Sequence, residues 1–170
     1  MRNNKKTGFT LVELLVVIAI IAILATVSVV GYTAFLTKAN QSNANTEANQ
    51  VQQAINAYLL DGSDYVIGTV DAKVDIDEDA DGIQYADGAE KTTYIVKASD
   101  KNIYKIVETY VAADSTWTAA DAVLVDSNTD ITDAFNESPD FGSLKGNFKV
   151  DAEGNITYTY EGVTATIKLN

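Results

Sequence analysis

The run Lys6-Thr7-Gly8-Phe9-Thr10-Leu11-Val12-Glu13 holds the residue types that could do chemistry, and the stretch Leu14 to Ala25 behind it has no polar side chain. Gly8 carries no side chain, so a protease can approach the Gly8-Phe9 peptide closely with the chain extended at a membrane face. Glu13 is an acid at the head of an apolar run, where a carboxylate costs about 2.5 to 3.5 kcal/mol on insertion scales. It needs a partner. The bases nearest to it in sequence, Arg2, Lys5 and Lys6, all lie on the far side of the Gly8-Phe9 peptide. The plainer reading places Glu13 at the interface with its head group snorkelled to water.

A second constellation lies in the acidic run Asp75 to Ile83, which contains Asp77-x-Asp79-x-Asp81-Gly82. Alternate carboxylates in a tight turn converge on one hard cation such as calcium, the glycine permits the bend, and the carbonyl of Ile83 would add an oxygen. A helix-loop-helix calcium site wants a bidentate Glu at the twelfth loop position, where this chain has Gly88, with Asp87 one residue early. The candidate set is therefore Asp77, Asp79, Asp81, Ile83 and Asp87, and a solvated acidic loop is the competing reading. No cofactor is otherwise required.

Elements must position these groups. Met1 to Gly8 is basic and holds no acid, which keeps it in the cytoplasm while the apolar stretch enters the bilayer. Leu14 to Val30, interrupted only by Thr26 and Ser28, approaches the ~20 residues needed to span a hydrocarbon core. Beyond Gly31, Tyr32, Phe35, Leu36, Ala39, Ala44, Ala48, Val51, Ala54, Ile55, Tyr58 and Leu59 keep largely to one helix face. Phe9 to Leu60 is thus expected to form one helical rod of about 75 to 80 Å at 1.5 Å per residue. Asp61-Gly62-Ser63 should break it. The polar face between Asn40 and Gln53 is rich in Asn and Gln, with Glu47 its one charge, and suits packing better than solvation. An ordinary secretory signal peptide also has a basic start and an apolar centre, but Ile23-Leu24-Ala25 makes a poor cleavage site and an acid at the head of the run is out of place there.

Taken together, residues Lys5 to about Leu60 resemble the amino-terminal block of the type IV pilin and type II secretion pseudopilin family. That resemblance implies cleavage between Gly8 and Phe9 by a prepilin peptidase, methylation of the new amino terminus at Phe9, and a role for Glu13 in setting the register of an incoming subunit. It implies as partners other copies of the chain in a helical filament, the peptidase and methylase, an inner-membrane assembly platform with its ATPases, and the membrane before assembly. The expected place is a single-pass cytoplasmic membrane protein with its head outside, then an extracellular pilus supporting adhesion, motility or biofilm formation. A pseudopilin of a secretion or competence apparatus is the alternative, and a secreted or lipid-anchored binding module the different-class one. The chain departs from many pilins in lacking a proline in the upper apolar helix, where Gly31 among β-branched neighbours is the weakest helical point. It also lacks the cysteines that staple many pilin heads.

Composition narrows the rest. Absence of cysteine and histidine removes thiol and imidazole nucleophile systems and the usual zinc sites, so no enzyme is expected. Without the leader's three cations, nine bases face 24 acids, a net charge of −15 that repels nucleic acid and anionic lipid. The expected organisation is a cleaved leader 1–8, a membrane and filament-core half-helix 9–30, an amphipathic half-helix 31–60 and an α+β head 61–170. Within the head, 61–91 reads as an acidic connecting loop and 92–170 as the sheet region. Strands are expected at Thr92–Lys97, Ile103–Val111, Gly146–Val150, Ile156–Tyr160 and Val163–Leu169, with a strand or short helix at Ala119–Val125 and a helical turn at Ile131–Phe135. The fold class that follows is α+β, a long amino-terminal helix packed on an antiparallel sheet head, pilin-like in order. Trp117 and the nine tyrosines suit core and strand positions better than an adhesive path.

Overall fold

The computed structural model describes residues 8–71, 85, 88–114 and 116–169. Helix α1 spans Leu11–Leu60, and the head that follows is antiparallel sheet with one short helix, the α+β class expected. Contacts divide the chain into two compact units at Ala39–Asn40.

In the first unit the apolar side chains from Leu14 to Val30 are exposed, and the stretch is long and apolar enough to cross a membrane. The serine and threonine hydroxyls along its helix are satisfied within the helix. Thr26 donates to the Ile23 carbonyl at 2.8 Å and Ser28 to the Leu24 carbonyl at 2.7 Å. Thr33 does the same to Val30 at 3.0 Å. Back-bonding of this kind lowers the cost of placing these hydroxyls in hydrocarbon. Gly31 is helical, and a Cβ built on it would meet nothing within 4 Å. Tyr32 and Phe35, placed on the packing face by their spacing, are 64% and 67% exposed.

In the second unit burial of α1 begins further along, on Ala44, Ala48, Val51, Ile55 and Leu59, a three-four spacing that makes one stripe. The helix stops where the breaker stands. Gly62 takes a positive φ of 78°, its N–H donates to the Leu59 carbonyl, and Ser63 N–H reaches back to the Tyr58 carbonyl. That is the paired arrangement of a glycine-terminated helix end.

The first sheet orders β1 (Tyr65–Asp71), β2 (Glu90–Val96), β3 (Ile103–Val111) and β4 (Thr116–Ala119), with β5 (Val123–Leu124) also on β3. The second is a meander of β6 (Asn147–Val150), β7 (Ile156–Tyr160) and β8 (Val163–Ile167). Between them α2 occupies Thr132–Asn136. Two expectations are corrected here. The segment 61–91 is not all connecting loop, because β1 lies within it and pairs antiparallel with β2, and β2 itself starts at Glu90. Ala119–Val125 is neither one strand nor a helix: β4 pairs with the far half of β3 through Glu108↔Ala119, and β5 with the near half through Tyr104↔Leu124.

One core joins these parts. The α1 stripe meets Tyr65, Ile67, Val96 and Ile103 of the first sheet, Ala134 and Phe135 of α2, and Phe148, Ile156, Tyr158 and Ile167 of the second. Phe135 and Phe148 stack with centroids 3.8 Å apart, and Phe148 tilts onto Tyr158 at 4.8 Å. The Asn and Gln face of α1 has a specific use: Gln41 Nε2 donates to the Thr164 carbonyl at 3.2 Å, and Gln52 Oε1 accepts from Lys168 N–H at 3.3 Å. Both contacts satisfy backbone groups at the edge of the second sheet, which would otherwise be open to another strand.

Candidate functional site

The amino-terminal group is built by the start of α1. Thr10 immediately precedes the first helical residue, and its carbonyl accepts from Leu14 N–H at 3.3 Å. Its backbone N–H donates to Glu13 Oε2 at 2.8 Å, and its hydroxyl donates to the same oxygen at 2.8 Å. Glu13 N–H lies 3.4 Å from Thr10 Oγ1. Thr10-Leu11-Val12-Glu13 is therefore a reciprocal capping box, which satisfies amides that a helix start leaves bare. Sequence reasoning singled out Glu13 but passed over Thr10, although a threonine three residues ahead of a glutamate before an apolar run is itself a legible signal.

Gly8 and Phe9 lie just outside the cap, non-helical and exposed, with Phe9 88% exposed. A Cβ at Gly8 would meet nothing within 4 Å. Nothing among the described residues thus demands a glycine there. Cleavage after Gly8 would leave Phe9 as a one-residue overhang before the cap, its amine four positions from Glu13.

Residues 3–29 match the family model of the prokaryotic N-terminal methylation motif. The amino-terminal block is the type IV pilin and pseudopilin signal. Neither a curated protein nor a solved structure gave a match to the chain. The pilin signal implies processing by prepilin peptidase and entry into membrane-associated pilus machinery, and with the apolar helix it points to a membrane-anchored, surface-exposed protein. Pilins and pseudopilins are structural proteins rather than enzymes. The matched residues end within α1, before the head begins.

Head residues singled out by sequence divide into two groups. Of the calcium set, Asp77, Asp79, Asp81, Ile83 and Asp87 all lie outside the described residues. Trp117, in contrast, is placed. It sits 5.3 Å from Tyr110 and 4.8 Å from Tyr85, and Lys91 Nζ lies 4.6 Å over its ring while ion-pairing Glu108 at 3.0 Å. All these aromatics are half-buried against one another. The cluster packs Tyr85 onto β3 and β4, the supporting use of aromatic residues expected for strand positions.

Two buried phenols were not foreseen as functional groups. Tyr158 donates to Glu47 Oε2 at 2.5 Å, and Tyr65 donates to Asp140 Oδ2 at 2.8 Å. Burial first, then the carboxylate partner, pushes both phenols well above the usual tyrosine range. Each ties a buried ring of one sheet to a carboxylate on another part of the head, Tyr158 to α1 and Tyr65 to the segment after α2.

Proposed function

We propose that the chain is a structural subunit of a type IV pilus, cut between Gly8 and Phe9, methylated at Phe9 and assembled from the membrane into a filament. The observation that carries this is the exposed apolar face of α1 from Leu14 to Val30 with a single carboxylate, Glu13, at its head. In a bilayer that face is covered by lipid; in a filament it is covered by other copies, and Glu13 then meets the amine of a neighbouring Phe9 and sets the subunit's register. An uncompensated carboxylate at that depth is costly, so the ion pair favours one axial position over its neighbours. The acidic head, net negative with the leader gone, suits an outward solvated surface. Adhesion, motility or biofilm formation would be the downstream use.

The second reading is a pseudopilin of a secretion or competence apparatus, which shares the whole amino-terminal block. The low-charge Asn and Gln face of α1 favours the major-pilin reading slightly. Filament length separates them, since a pseudopilus stays short.

The test is the intact mass and amino-terminal sequence of protein sheared from cells and pelleted. A start at Phe9, one methyl group heavier than the plain chain, is expected. A start within or after the apolar run would mean a secreted protein and would end this reading.

A further inference from the structure

We infer that Thr10 is the positioning residue for Glu13: its N–H and hydroxyl hold one carboxylate oxygen within the chain and leave the other for the ammonium of an incoming subunit. This rests on the filament reading above. Both donors converge on Oε2 at 2.8 Å, and among the described residues Oε1 has no partner. A carboxylate has about four lone-pair sites, so Oε1 keeps its full accepting capacity while Oε2 is occupied.

The arrangement solves two problems at once. Before assembly, Glu13 stands at the head of an apolar segment with the basic leader gone, and two charge-assisted hydrogen bonds from its own chain offset part of its desolvation. At assembly, a flexible glutamate would have to surrender several rotatable bonds to meet an amine. Thr10 has already fixed the side chain against the first turn, with the cap holding Phe9 outside the helix. The incoming ammonium therefore meets an oriented acceptor. Threonine is suited to both tasks because one hydroxyl donates to the carboxylate and accepts from the Glu13 amide.

A helix cap alone would make a weaker claim, and substitution chemistry separates the two. Thr10→Ser keeps the hydroxyl donor. Thr10→Val keeps the shape and removes it. Thr10→Asp is a good cap but, ionised, can only accept, so it cannot hold Glu13 through its side chain.

The experiment expresses the full chain with each substitution, alongside Glu13→Ala, and measures sheared filament relative to processed, membrane-inserted subunit. Thr10→Val should lower that ratio roughly tenfold, the effect of losing one hydrogen bond to a charged group. Thr10→Ser should restore it and Thr10→Asp should not. Wild-type filament from Thr10→Val, failure of Thr10→Ser, or full rescue by Thr10→Asp would overturn the positioning role. Filaments undiminished in Glu13→Ala would instead remove the register role of Glu13, and with it the reading on which this inference rests.

Discussion

The Tyr158 hydroxyl on the middle strand of the second sheet donates to Glu47 on α1 at 2.5 Å, across 111 residues of chain. Tyr158 is fully buried and Glu47 only partly, so the phenol carries its polar end from the core to the helix surface. The two removals should not be equal. Tyr158→Phe keeps the ring and leaves Glu47 to water, at a cost of about 1 kcal/mol. Glu47→Ala strands a buried hydroxyl and should cost about 1 to 3 kcal/mol. Thermal melts of the detergent-solubilised protein should therefore rank Glu47→Ala below Tyr158→Phe, and the reverse order would show that the hydroxyl finds water instead.

Gly68 is set by a close approach. The β1–β2 register shifts between Val66 and Gly68, and a Cβ at Gly68 would lie 2.0 Å from the Ala134 carbonyl oxygen of α2. That oxygen belongs to backbone and cannot swing aside. Gly68→Ala should destabilise the protein by at least the ~1 to 3 kcal/mol typical of overpacking. A lowered urea midpoint is expected, and an unchanged one would mean that β1 and α2 are not held this closely.

Stability should fall in alkali for a specific reason. Tyr65 and Tyr158 both have raised pKa values in the folded protein. An unfolded tyrosine loses its proton near about pH 10. Above that pH the unfolded chain binds fewer protons than the native one, so the contribution of these phenols is complete below about 10 and is lost as pH rises toward the folded values. A double Tyr65→Phe, Tyr158→Phe variant should show a shallower loss of stability from pH 9 to 12, measured by denaturant midpoint against wild type. An identical slope would assign alkaline loss to other groups.

Calcium has an independent test, since its candidate residues rest on sequence alone. A site at Asp77, Asp79 and Asp81 requires a melting temperature that rises with added calcium by mass action and a rise that Asp79→Ala removes. No shift at millimolar calcium would leave the acidic run as a solvated loop.

Some of this was legible residue by residue. The stop of α1 at Asp61-Gly62-Ser63, the β3 and β7 limits and the hairpin turn at Glu161-Gly162 all follow from local signals, and both turn residues take positive φ as a tight hairpin requires. Strand β1 did not announce itself. Its Tyr65-Val66-Ile67-Gly68 start breaks the period of two with a bulge and an interior glycine, the features that weaken a strand signal. Apolar spacing starts the hydrophobic face of α1 at Tyr32, yet burial within the subunit starts at Ala44. Apolar spacing identifies a face; it does not say what covers it.

What the sequence by itself determined is the amino-terminal block, because the matched methylation motif over residues 3–29, the membrane-length apolar run and the cap of Thr10 on Glu13 all rest on residues adjacent or three positions apart. Tertiary structure decided the rest of the chemistry. Glu47 could have been read as one more solvated charge, and Tyr65, Tyr158, Gln41 and Gln52 as ordinary polar residues; their partners lie 75 to 123 positions away. Such pairings are set by sheet register and by which face of α1 meets the strands, and local spacing encodes neither.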